Sequence, residues 1–183
     1  IISRIILPWF GGSAAVWTTC LLIFQVALLV GYLYAHFSVR IMPPRIQGGL
    51  HVALLAVSVL TLPILPRDSW KPTGTGDPTL QILLLLTATI GLPYFLLSTT
   101  GPLLQAWYAR RGQFAESTPS PFPYRLYALS NLGSMLALLG YPAVVEPFLT
   151  LHQQAYALTF GYVGFAILCT FVALRATTTP PSG

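Results

Sequence analysis

The chain has 183 residues, of which 55% are hydrophobic and only 7% charged, with a formal net charge of +5. A soluble globular domain carries about 25% charged residues, so this composition excludes a water-soluble core wrapped in a polar surface. The net positive charge is distributed as loop arginines rather than as a basic patch interleaved with aromatics, which excludes a nucleic-acid surface.

Five apolar stretches follow one another, and every Lys, Arg, Asp and Glu falls at their ends or between them. Hydrocarbon imposes that pattern because a charge at its centre is costly. The fold class expected is all-α: a polytopic transmembrane helical bundle over residues 1–176, with a flexible tail at 177–183. Residues 1–7 resemble the stub of a preceding helix that ends at Pro8, with Arg4 at the outer interface. The first complete span is expected at 14–39. The second, 48–65, has an apolar run of only 50–65 and spans either by extending back through Gln47, Gly48 and Gly49, toward the length of about 20 residues that a crossing needs, or by thinning the bilayer locally.

The third span, 79–100, has the most irregular backbone chemistry. Pro93 removes a backbone donor and predicts a kink, and Gly101-Pro102 predicts a break followed by an interfacial helix over 102–110. Ser98, Thr99 and Thr100 line that break. Interrupted helices at membrane depth often mark a substrate site in transporters, and a plain proline kink with a hydroxyl-rich end is the structural alternative.

The fourth span, 124–145, carries Ser130, Asn131, Gly133, Ser134, Ala137 and Gly140 at three- and four-residue steps. Small side chains on one helical face permit close helix approach, and polar ones act as interhelical glue. The fifth span, 151–174, offers a matching stripe at Ala157, Gly161 and Gly164, so the two are expected to pack with Asn131 bonded across. The competing reading places Asn131, Ser130 and Gln25, the other deep polar residue, in a polar pocket.

Trp9, Trp17, Trp70 and Trp107 lie near span ends, where indole rings favour the headgroup layer. His36 and His51 also lie near span ends and are the candidates for axial haem ligation, with interfacial hydrogen bonding as the simpler role. Cys20 and Cys169 sit within spans at different depths, consistent with small buried hydrophobes. No metal site or cofactor is indicated. No carboxylate lies mid-span, so neither acid–base chemistry nor an intramembrane ion relay is expected of this chain. Alternating spans place Arg40, Arg45, Arg110, Arg111, Arg125 and Arg175 on one side, which the positive-inside rule assigns to the cytoplasm of a bacterial inner membrane.

Four segments carry a resemblance: LPWFGGSAAVWTTCLLIFQ (7–25), LPYFLLSTTGPLLQAWYARR (92–111), PYRLYALSNLGSMLALLGYPAVVEP (123–147) and GYVGF (161–165). Together they resemble the membrane domain of bacterial spermidine-synthase-like proteins, often described as fused major-facilitator/spermidine synthase proteins. The resemblance covers nearly the whole chain. It implies further helices and a soluble aminopropyltransferase-like domain of Rossmann type, to which nothing in these residues corresponds. The expected function is therefore a non-catalytic membrane module that anchors a soluble domain or handles a small molecule. An accessory subunit packed among the helices of a larger membrane complex is the alternative, and a haem- or pigment-binding protein the most distant one. The partners expected are lipid and other membrane helices.

Overall fold

The computed structural model describes residues 2–62, 70, 77–112 and 122–178. Every extended regular element among them is helical: α1 (Ile2–Phe10), α2 (Ala14–Ile41), α3 (Pro44–Leu60), α4 (Pro78–Leu86), α5 (Leu92–Gly112), α6 (Phe122–Gly140), α7 (Glu146–Phe148) and α8 (Leu151–Thr178). Four stretches are long and apolar enough to cross a membrane: Ala14–Ile41, Pro78–Trp107, Tyr127–Phe148 and Leu151–Arg175. The second expected span is the shorter apolar helix α3, which does begin upstream of Gly48, at Pro44. Its expected end at 63–65 lies outside the described residues.

Helix starts follow local chemistry. Ser13 caps α2 by accepting from the Val16 amide at 3.4 Å, and Asp77 caps α4 by accepting from Thr79 at 2.8 Å. Pro78 and Pro44 occupy first-turn positions, where a missing N–H costs nothing. Thr150 and Gln153 form a reciprocal box at the start of α8: the Thr150 amide donates to Gln153 Oε1 at 2.9 Å and the Gln153 amide to Thr150 Oγ1 at 3.4 Å. At the other end of a helix, α1 runs two residues past Pro8 and stops at Phe10, where Gly11 adopts φ +82°.

The expected break in the third span is not made. The chain stays helical from Pro78 to Gly112, through both Pro93 and Pro102, so 102–110 continues α5 rather than forming a separate interfacial helix. A π-helical turn at Thr87–Gly91 accommodates the proline instead. A proline ring collides with the carbonyl four residues back; for Pro93 that residue is Thr89, in the middle of the widened turn. The same device recurs at Tyr141–Val145, where Ala143 lies four residues before Pro147. The fourth span is thus continuous from Phe122 to Phe148, and Thr177 and Thr178, expected in the tail, belong to α8.

Helices α2 and α4–α5 run parallel. Val16 and Cys20 pack with Ile82, Leu85 and Leu86 near their starts, Phe24 meets Tyr94 edge-on at 5.0 Å, and Ala35 shares a cluster with Leu103 and Trp107. Antiparallel to these, α3 lies along α8, with Leu55 clustered with Leu96, Ala166 and Cys169. Ends therefore alternate, and α2, α5 and α8 all finish where α3 and α6 begin. Arg40, Arg45 and Arg175 share this end, while Asp77 and Glu146 mark the opposite one.

The outer surface is apolar: Leu21, Leu22, Leu29, Leu33, Phe160, Ile167, Leu168 and Phe171 all stand exposed. So large an apolar surface suits hydrocarbon and not water. Helix α6 differs from the other spans in that every residue from Tyr127 to Leu139 is exposed. None of the most apolar window of Tyr127–Phe148 is buried, against 22% for Ala14–Ile41 and 28% for Pro78–Trp107. Its tie to the bundle's basic end is a 3.1 Å hydrogen bond from the Tyr127 hydroxyl to Gln105.

Candidate functional site

Most of the polar groups that the fold buries lie on a seam where α3 faces α2, α5 and α8; Thr19 on α2 and Gln154 on α8 are buried elsewhere. Along α3, Gln47, His51, Leu55 and Ser58 recur at steps of four, four and three and are all buried. At the basic end, Trp107 Nε1 donates to Gln47 Oε1 at 3.1 Å, and Gln47 Nε2 donates to Ser38 Oγ at 3.1 Å. Ser38 in turn donates to the Ala35 carbonyl at 3.2 Å. One amide thereby links three helices. Deeper in the bundle, the Ser58 and Tyr162 hydroxyls share a hydrogen bond of 2.7 Å between α3 and α8.

Between these two links, the His51 ring stacks on Tyr34 at 6.5 Å and meets Trp107 edge-on at 6.2 Å. His51 Nδ1 and the Tyr34 hydroxyl are both buried without a hydrogen-bond partner among the described residues. An unpartnered buried polar group costs about 1–3 kcal/mol. Tyr34→Phe is therefore expected to raise the thermal midpoint of the purified protein. A fall in that midpoint would mean that the hydroxyl has a partner in the native molecule, a water or a polar ligand.

The residues singled out in the sequence are spread over α2, α3, α5, α6 and α8 and do not converge on one site. Gln25 is exposed on α2. Ser98, Thr99 and Thr100 turn their hydroxyls back into α5, Ser98 onto the Phe95 carbonyl at 2.7 Å and both threonines onto the Leu96 carbonyl at 2.8 Å. Thr100 also receives a 3.9 Å contact from the buried Cys169 thiol. On α6, Ser130, Asn131, Gly133, Ser134 and Ala137 are exposed, and Ser134 bonds back to the Ser130 carbonyl at 3.0 Å.

The expected packing of the fourth span against the fifth through their small-residue stripes is not seen within this chain; the two are tied instead at their connection, where the Tyr141 hydroxyl donates to Gln154 Oε1 at 3.1 Å and Gln154 Nε2 donates to the Leu149 carbonyl at 2.8 Å. A Cβ placed on Gly133, Gly140, Gly161 or Gly164 would meet nothing within 4 Å. Ala157 is likewise exposed. Helix α8 instead turns Ala155, Tyr162, Ala166, Cys169 and Ala173 inward.

His36 and His51 are also separated: His36 is exposed on the outer face of α2, whereas His51 is 1% exposed inside the bundle. Trp107 is not an interface anchor but an interior donor, 6% exposed. Among the described residues, no three His, Cys, Asp or Glu side chains gather in a way that would hold a metal.

The close-approach glycine that the fold does use is Gly31. A Cβ there would overlap Ser98 Oγ and stand 3.0 Å from Ser98 Cβ and 3.3 Å from the Phe95 carbonyl oxygen. Gly31 thus sets the separation of α2 and α5, the most extensive helix pair in the bundle. The chemistry of the seam is that of interhelical attachment: three hydrogen bonds and one bare glycine hold four helices in register. Compared with family models, curated proteins and solved structures, the chain finds no match.

Proposed function

We propose that this chain is a non-catalytic module of the bacterial inner membrane that anchors a larger assembly by presenting α6 to other membrane helices. The observation that carries this reading is the bareness of α6. Its exposed face holds Asn131, whose amide has no hydrogen-bond partner among the described residues, beside the small residues Gly133 and Ala137. An amide left facing hydrocarbon is costly, and a helix bearing it gains most by pairing with another. The segregation of Arg40, Arg45 and Arg175 at one end supports a cytoplasmic location for that end. The resemblance to spermidine-synthase-like membrane domains supports the same reading, since such domains carry further helices and a soluble domain to be anchored.

Mild detergent extraction from source membranes tests it. The protein is expected to migrate with a stoichiometric partner, or as part of a longer polypeptide. The double variant Asn131→Leu/Gly133→Leu is expected to release the partner or, in a longer chain, to loosen α6 to protease. Migration of the unaltered 183-residue chain alone would overturn the assembly role.

A second reading, small-molecule handling, is favoured by one observation, the unpartnered pair of Tyr34 and His51. It predicts altered polyamine uptake or content in cells carrying His51→Leu, whereas the anchoring role leaves both unchanged.

A further inference from the structure

On the outer face of α2, away from the polar seam, a groove of about 630 Å³ runs between α2 and α5. Its walls are Leu29, Leu33 and Val39 on one side and Pro102 and Ala106 on the other, and His36 and Arg40 stand at its basic end. Leu29 and Arg40 are eleven residues apart, which at 1.5 Å per residue is about 16 Å along the helix. One leaflet of a hydrocarbon core of about 30 Å has nearly that depth. Apart from Tyr32, the groove is therefore apolar for most of the depth of a single leaflet, and it ends in a cation. Arg40 has no ion-pair or hydrogen-bond partner among the described residues, and their two carboxylates, Asp77 and Glu146, stand at the other end of the bundle. Its guanidinium presents a planar set of donors suited to phosphate oxygens.

We infer that this groove holds one anionic phospholipid of the leaflet at the basic end, its acyl chain along Leu29, Leu33 and Pro102 and its phosphate on Arg40. Zwitterionic lipid offers the same chain without the net negative charge, so the preference comes from the cation. This inference rests on the membrane placement of the bundle and not on the pairing of α6, which lies on a different surface.

The test places the purified chain in nanodiscs of phosphatidylcholine alone or of an equal mixture with phosphatidylglycerol. The thermal midpoint is expected to rise with phosphatidylglycerol, and identical midpoints in the two lipids would overturn the site. Native mass spectrometry after detergent extraction then reads retained lipid directly. Arg40→Gln is expected to lose phosphatidylglycerol by about fivefold, the effect of one cation at an anionic surface. Ala106→Phe, which fills the groove and leaves the charge in place, is expected to lose bound lipid of both kinds. Arg175→Gln, at the same end but with its guanidinium over the Phe171 ring at 4.3 Å, is expected to retain it. Equal loss in Arg40→Gln and Arg175→Gln would reduce the effect to general surface charge and overturn the groove. Inorganic phosphate is expected not to displace the lipid; displacement would show that the groove contributes nothing to binding.

Discussion

Gly31→Ala is expected to destabilise the bundle by about 1–3 kcal/mol, the cost of overpacking a filled interior. The magnitude follows from what the new methyl meets. Ser98 Oγ has to move, and with it the 2.7 Å bond to the Phe95 carbonyl. Ser98 Cβ, at 3.0 Å, moves only if the backbones of α2 and α5 part. Apolar side chains gain little from association in lipid, so helix pairs there depend on close van der Waals packing and feel such a separation directly. Ser98→Gly removes both obstructing atoms. The double variant Gly31→Ala/Ser98→Gly is therefore expected to recover part of the loss, which a double-mutant cycle reports as coupling. Gly161→Ala supplies the control, because a Cβ there meets nothing within 4 Å. The readout is the unfolding midpoint of purified protein in mild detergent. Equal losses at Gly31 and Gly161, with no recovery in the double variant, would remove Gly31 from its role.

How far the sequence discloses this architecture depends on which physical force leaves a visible trace. The cost of burying charge leaves a strong one, so helix positions were legible from where Arg, Lys, Asp and Glu do not occur. α2 and α8 fall within a few residues of expectation. Proline was misleading. Pro93 and Pro102 read as interruptions because a lost donor and a ring clash disrupt an ideal α-helix. A π-turn one step upstream relieves the clash at Pro93, and no sequence rule announces it.

Packing partners were the least legible feature. Gly31 and Gly161 are both small residues inside apolar spans, and only the three-dimensional arrangement shows that one meets Ser98 and the other meets nothing. The inward stripe of α8, Ala155, Tyr162, Ala166, Cys169 and Ala173, repeats at three-, four- and seven-residue steps, yet it is hidden among side chains that are apolar all round. On α3 a signal was present. Gln47, His51 and Ser58 share one helical face, and three polar residues on one side of an apolar helix point to the bundle interior. His51 stands near the start of the expected second span, and the face it shares with Gln47 becomes visible once α3 is taken from Pro44.

That face also carries the second large effect. Gln47→Leu is expected to cost about 1–3 kcal/mol, because it strands the Trp107 indole donor in a dry interior. Polar contacts between membrane helices average a smaller value, about 0.6 kcal/mol, since alternative partners are found once helices separate. Gln47 is expected near the upper figure for a geometric reason. It is 0% exposed and bonds Trp107 on α5 and Ser38 on α2 at 3.1 Å each, so its loss disturbs two helix contacts at once. Trp107→Phe removes the stranded donor while keeping a ring against His51. The pair Gln47→Leu/Trp107→Phe should then lose less than the sum of the single variants. Ser38→Ala should cost less than either, because the Gln47–Trp107 bond survives it. Unfolding midpoints of the unaltered protein and these four variants in one detergent decide the matter. Additive losses would mean that the Gln47–Trp107 bond contributes nothing of its own, and that α2, α3 and α5 are held by shape alone.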